Sequence, residues 1–262
     1  MLLVIDIGNT GITLGLFNGE KLGQQWRLAS DNERTSDEYG ILITQLLERA
    51  GICPTGDVGV RGVAIASVAP TLTGVLTRAC RDYLRVKPLV IDADTCTGIS
   101  LRYDDPKQIG ADRVANAVAV HRLYKGPACI VDFGTATTFD ALSADGEYLG
   151  GAIAPGIGVA ADALFRRTAK LPSVDLRRPP SVIGRNTVHS LQSGLIYGYV
   201  GLVEGMVNRF RAELGAEMKT IGTGAVVELI AGETRAIDIV NPWLALEGLK
   251  IIFESAAYFQ SA

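Results

Sequence analysis

Soft metal ligands are scarce in this chain: two histidines and four cysteines are spread over 262 residues, with no C-x-x-C pair among them. Cys53, Cys80, Cys96 and Cys129 together with His121 and His189 have no zinc-site spacing, and the thiols are expected to be reduced and mostly buried. Excess positive charge is missing as well. The formal net charge is −3, with both signs interspersed, which removes any general attraction to nucleic acid or to an anionic membrane. Arg166, Arg167, Arg177 and Arg178 form a small basic cluster that reads as solvated surface. Long apolar runs are absent too: Leu2 to Ile5 has no basic flank and meets Asp6 at once, and GGAIAPGIGVAADALF is broken by Pro155 and its glycines. Neither a signal peptide nor a membrane span is expected, and the chain reads as cytoplasmic. Neither G-x-x-x-x-G-K-S/T nor G-x-G-x-x-G follows any expected strand, so bound nucleotide would not be held in a P-loop or Rossmann manner.

What is present is a globular α/β pattern, with 48% hydrophobic and 20% charged residues. The length fits one large unit or two domains of about 130 residues. Leu2 to Ile5, Ile12 to Phe17 and Gln25 to Leu28 read as a meander, turning at Asn18-Gly19. Thr35-Ser36-Asp37-Glu38 is a capping box that starts a helix stopped by Gly51. Val63 to Val68 and Leu89 to Asp92 read as strands, with a helix from Leu72 to Tyr83 between them. The stretch from 131 to 151, VDFGTATTFDALSADGEYLGG, repeats the N-terminal one. Asp132-Phe133-Gly134 matches Asp6-Ile7-Gly8, 126 positions earlier and close to half of 262, and Gly146-Glu147 matches Gly19-Glu20. That predicts duplicated halves facing each other across a cleft. Thr187 to Leu214 carries one helical pattern, with Leu191, Leu195, Ile196, Tyr199 and Leu202 as its apolar stripe and glycines that could break it. Met218 to Ile221 is a strand running into Gly222-Thr223-Gly224, read as a helix N-terminus suited to an anion. Ile237 to Val240 is a last strand, and Leu244 to Phe259 a last helix.

A single D-x-G-x-T stretch reads as an Asp-capped turn. Two copies at half-length spacing, with a Gly-Thr-Gly turn, read as a paired phosphate site: glycine turns expose N–H groups, threonines supply hydroxyls, and carboxylates hold Mg2+ or its waters. In IGADRVANAVAVHRLY, Asp112 and Arg113 open a helix. Asp112 is either a cap or a proton acceptor beside a guanidinium able to clamp a carboxylate. Tyr103 could close the same site.

DIGNT, Tyr103 and Pro106 leading into GADR, DFGTATT, GGAIAPGI, Gly184-x-Asn186-Thr187 and the terminal Asn-Pro-x-Leu-x-Leu-x-Gly-Leu together resemble the type III pantothenate kinases over essentially the whole chain. The resemblance implies an α/β fold of two duplicated actin-like domains (acetate and sugar kinase/actin superfamily, ribonuclease H-like) with a central cleft. It places the domains at 1–120, with the first phosphate hairpin and GADR, and 121–262, with the second hairpin, the adenosine-side turn and a dimer helix. It implies a homodimer that transfers the γ-phosphate of ATP to the 4′-hydroxyl of pantothenate, the first step towards coenzyme A, with Mg2+ and with K+ or NH4+. Carried over, Asp6, Ile7, Gly8, Asn9, Thr10, Gly11, Ile12 and Thr13 would bind ATP together with Thr135, and Asp6 would organise Mg2+. Tyr103, Gly110, Ala111, Asp112, Arg113 and Thr187 would bind pantothenate, Asp112 as general base, and Asp132 would hold the monovalent cation. Gly11 and Ala225 depart from the family pattern, which has Asn and Gly there. Phosphoryl transfer needs positioning and charge stabilisation, which this set can supply without a covalent nucleophile. Two other readings keep the scaffold: a non-enzymatic transcriptional accessory, disfavoured by the charge, and a kinase for another hydroxyl-bearing acid or sugar.

Overall fold

The computed structural model describes residues 1–56, 59–92, 95 and 97–261, with side chains as far as residue 256. Cys96 therefore lies outside the described residues. The chain opens with β1 (Leu2–Ile7), β2 (Gly11–Asn18) and β3 (Lys21–Ala29), then α1 (Ser36–Arg49), β4 (Gly62–Ser67), α2 (Pro70–Ala79) and β5 (Leu89–Val90). These strands form a sheet of order β3-β2-β1-β4-β5. β1 is the central strand, antiparallel to β2 and parallel to β4, and its residues Leu3, Val4 and Ile5 are fully buried. Burial on both faces is why its sequence is a continuous apolar run instead of an alternating one.

After α3 (Ala111–Leu123) the plan repeats with β6 (Ala128–Phe133), β7 (Ala136–Leu142), β8 (Tyr148–Pro155), α4 (Ile157–Arg167), α5 (Thr187–Leu214), β9 (Lys219–Gly224), α6 (Val227–Ala231), β10 (Ile239–Val240) and α7 (Leu244–Ser261). The second sheet has order β10-β9-β6-β7-β8, the same topology as the first. The likeness extends to register. Asp6 lies opposite Thr13, and Asp132 opposite Thr138. Register shifts fall at matching places too, Leu16/Phe17 against β3 and Ala141/Leu142 against β8. The expected duplication is present, strand for strand.

The chain forms two compact units: 1–98 with 104–119 and 245–262, and 99–103 with 120–244. In the first, α7 covers the sheet, with Leu246, Leu249 and Ile252 buried. A Cβ at Gly248 would overlap the Ala115 carbonyl of α3, and one at Gly15 would meet Leu246 Cδ1 at 2.8 Å. Lys250 on α7 is buried and donates to Glu20 at 2.7 Å and Glu254 at 2.9 Å. The core of the second unit is built on Val131, Phe133, Phe139, Ile196, Val203 and Ile230.

Local signals behave as their chemistry dictates. Thr35 caps α1, its hydroxyl accepting the Glu38 N–H at 3.3 Å while Glu38 Oε2 accepts the Thr35 N–H at 2.8 Å. Those bonds hold the Glu38 carboxyl below its ordinary value of 4.5, the Thr35 backbone N–H first and the hydroxyl second. A depressed folded-state value stabilises above the ordinary range, and the contribution is lost as pH falls through the lowered value. Thr35→Ala is expected to lower stability by about 1 kcal/mol at neutral pH, read from the urea midpoint. Glu38→Gln should flatten the acid limb of that midpoint against pH.

Several boundaries differ from the sequence reading. α2 starts at Pro70, because proline suits the first helical turn, and gives way to a π-helical turn at Cys80–Leu84 before Arg85 turns left-handed. β3 runs from Lys21 instead of Gln25. β5 and β10 are two-residue strands. α5 is unbroken, since Gln192, Ile196, Val200, Val203 and Val207 bury one continuous face; Tyr199 and Leu202 are half-buried flanks of it. Cys80 and Cys129 are buried, and burial pushes both thiols up to about 12, whereas Cys53 is exposed. Arg178 is solvated as expected and pairs with Glu233 at 3.2 Å.

Candidate functional site

Each unit carries a glycine hairpin at the end of its central strand. In the first, the Gly8 N–H donates to Gly11 O at 2.9 Å, closing a turn whose Asn9 and Thr10 are exposed. The end of β3 secures it: the Ser30 N–H donates to Thr10 O at 3.3 Å and Ser30 Oγ to Gly8 O at 2.6 Å. Asp6 is half-buried and shares a sheet face with Thr13. Ile7 and Ile12 are fully buried core residues, so only their backbones can face a ligand.

The same unit holds the GADR turn. Asp105 caps a short 3-10 turn by accepting the Lys107 N–H at 3.1 Å, Ile109 is buried, and α3 begins at Ala111. A Cβ at Gly110 would collide with Asp112 Oδ1 and stand 3.2 Å from Val68 Cγ1. Glycine therefore makes room for the Asp112 carboxylate to fold back over the turn, where Oδ1 also accepts the Arg113 N–H at 2.8 Å. Asp112 is half-buried and Arg113 buried.

In the second unit the hairpin is one residue shorter. The Gly134 N–H donates to Ala136 O at 2.9 Å, and the Gly156 N–H at the start of α4 donates to the exposed Thr135 carbonyl at 3.0 Å. Asp132 is half-buried and lies between Thr138 on β7 and Thr223 on β9. Gly222-Thr223-Gly224 stays in β9; α6 starts at Val227, is five residues long and has no side-chain cap, so the expected helix N-terminus is not formed by that triplet. Gly224 instead makes a close approach: at φ +98°, a Cβ there would stand 2.6 Å from Asp132 Oδ1 and 2.6 Å from Phe133 N.

Thr187 is exposed at the first turn of α5, which Asn186 caps by accepting the His189 N–H at 2.8 Å. Tyr103 is placed in the second unit, its ring 6.2 Å from that of Tyr148, whereas Gly110 to Arg113 belong to the first. The structure thus groups Asp6 to Thr13 with Gly110 to Arg113, and Tyr103 with Asp132, Thr135 and Thr187. Sequence reasoning passed over Asp140, a fully buried carboxylate on β7 accepting from Tyr148 Oη at 2.7 Å. Its only sequence signal is an acid in mid-strand.

A family model for type III pantothenate kinase matches residues 2–209. The type III pantothenate kinase of Roseiflexus sp. (strain RS-1) is 54% identical over 254 residues, spanning 97% of this chain and 98% of that protein. Among solved structures, a Campylobacter jejuni protein named for the Baf family of transcriptional activators has a TM-score of 0.60 at 20% identity, covering 98% of this chain and 99% of that one. A Sinorhizobium meliloti protein named for 2-dehydro-3-deoxygalactonokinase has a TM-score of 0.54 at 13% identity, covering 99% of each chain. Likeness at those identities shows the fold alone. With both hairpins and the GADR turn formed, and the sequence match spanning nearly the whole length, this chain belongs to the type III pantothenate kinase family.

Proposed function

We propose that Asp112 is the general base in the reaction this chain catalyses, the ATP-dependent phosphorylation of pantothenate to 4′-phosphopantothenate that begins coenzyme A biosynthesis. The observation that carries the assignment is the Gly110 turn, which leaves the Asp112 carboxylate half-buried and oriented in the same unit as the first hairpin. Asp112 accepts the 4′-hydroxyl proton as the oxygen attacks the γ-phosphorus, and the bond to ADP breaks. Arg113 with the Gly110 and Ala111 backbone in the first unit, and Thr187 and Tyr103 in the second, are the proposed pantothenate-binding residues. The turn amides of Gly8 to Thr13 in the first unit, and Thr135 in the second, are the proposed nucleotide-binding groups.

The residues fit the two cations. Asp6 offers one half-buried carboxylate beside an exposed turn, and the described residues contain no group of three or more His, Cys, Asp or Glu able to cage a metal. That suits Mg2+ held by a carboxylate or its waters together with substrate phosphates. Asp132 suits K+ or NH4+, since Gly224 keeps clear the space beside its carboxylate that a Cβ would fill. When bound, these cations would neutralise charge on the phosphates. The net charge supports a reading without nucleic-acid partners. No helix among the described residues is long and apolar enough to cross a membrane, and a cytoplasmic location fits the metabolic role. A homodimer is supported by exposed apolar residues leading into α5, among them Ile183 at 81% and Val182 at 64% exposure.

The test is direct. Purified protein with Mg2+ and ATP should phosphorylate pantothenate, faster with K+ or NH4+ than with Na+. Folded protein that transfers no phosphate to pantothenate with any of these cations would refute the reading.

A further inference from the structure

Asp140 has no part in the roles assigned above, yet it is fully buried. A carboxylate taken from water is tolerated only where donors compensate it. Tyr148 Oη donates to Oδ1 at 2.7 Å, and Thr138 Oγ1 to Oδ2 at 3.2 Å. Both donors lead to proposed ligand-binding residues. Thr138 is the strand partner of Asp132. Tyr148 is the dock for the segment ending at Tyr103: its N–H donates to Ser100 O at 2.8 Å, and its carbonyl accepts the Arg102 N–H at 2.8 Å. Leu101 bridges to it in parallel register, Arg102 pairs with the adjacent Glu147 at 2.8 Å, and the Tyr103 ring packs on the Tyr148 ring at 54°. Tyr103 itself is 36% exposed.

Comparison of the two units shows that the fold does not require this carboxylate. Asp140 follows Thr138 by two positions, and the residue two after the matching Thr13 is Gly15, which packs on Leu246 of α7. One unit fills the position with a helix and the other with a buried charge. The hairpin-tip glutamates diverge in step: Glu20 is held by Lys250 of α7, and Glu147 by Arg102 of the docked segment.

We propose that Asp140 is a positioning residue for pantothenate: by holding the Tyr148 phenol it fixes segment 100–103 on the edge of β8 and so sets the Tyr103 ring. This rests on the reading of Tyr103 as a pantothenate-binding residue. Asp140→Asn and Tyr148→Phe each should raise the KM for pantothenate about tenfold, the scale of a hydrogen bond to a charged group. The KM for ATP and kcat should stay within about twofold, as expected when uniform substrate binding is lost. Hydrogen exchange at the Arg102 and Tyr148 amides should quicken in both variants while β6 amides stay protected. Tyr103→Ala should raise the pantothenate KM without speeding that exchange, and adding Asp140→Asn to it should raise KM no further. If Tyr103→Ala raises KM but Asp140→Asn and Tyr148→Phe do not, the proposal fails alone. If both KM values rise together with a lowered Tm, Asp140 is a stability residue and the proposal fails. A wild-type KM in Tyr103→Ala overturns the reading of Tyr103 and the proposal with it. Tyr148→Phe keeps the test decisive should Asp140→Asn not fold.

Discussion

Asp112→Asn is expected to lower kcat by about 10²- to 10⁴-fold, the contribution of a positioned general base, with KM for pantothenate and ATP nearly unchanged. The amide keeps the size of the carboxylate and can still accept the Arg113 N–H, so the turn built on Gly110 has no steric reason to move. What the substitution removes is the proposed proton acceptor. Steady-state kinetics with direct measurement of pantothenate binding separates the two effects, and turnover near wild type would remove Asp112 from the base role. The lower end of the range is realistic because a loose transition state asks less of the base than of the groups that position the phosphates.

Gly224→Ala should be strongly damaging in the second unit. At φ +98° a side chain is strained, and the new methyl would stand 2.6 Å from both Asp132 Oδ1 and Phe133 N. Strain of about 1–2 kcal/mol and overpacking of about 1–3 kcal/mol together give an expected loss of about 3 kcal/mol. Under the proposed role of Asp132 as the monovalent-cation ligand, half-maximal activation by K+ should also require more salt, since Asp132 must move. Gly215 offers an internal control, having φ +97° with nothing within 4 Å of its Cβ position. Gly215→Ala should show the strain without the collision, losing about 1 kcal/mol with wild-type cation activation. Equal losses at the two positions would mean that the approach to Asp132 carries no cost.

The repeat was legible because each central strand ends in an acid followed by a glycine turn, and the pairing of Asp6 with Thr13 and of Asp132 with Thr138 follows from that signature. α5 was legible for a different reason: Asn186 caps it and Gly215 ends it, so composition marks both boundaries. Other features depend on contacts between distant residues. Tyr103 and Gly110 are seven positions apart, yet they belong to different units because the chain passes from one to the other between them. Gly222-Thr223-Gly224 looks like a helix start in one dimension, whereas its register beside Asp132 keeps it in the sheet. Asp140 was invisible because an acid flanked by Phe139 and Ala141 fits an exposed strand face equally well, and its burial shows only in three dimensions, where the Tyr148 and Thr138 hydroxyls meet it.

The placement of α7 constrains how the protein is made. The first unit contains β1 to β5, but its sheet is packed by α7, made long after those strands. At about 5–20 residues per second, the gap between residues 119 and 245 holds that core open for on the order of ten seconds. Gly15, Gly62 and the unpaired Glu20 then wait for Leu246, Phe253 and Lys250, their partners in the finished unit. The N-terminal unit is thus completed only once α7 has emerged, and nascent chains stalled before α7 should expose its apolar sheet face to chaperones.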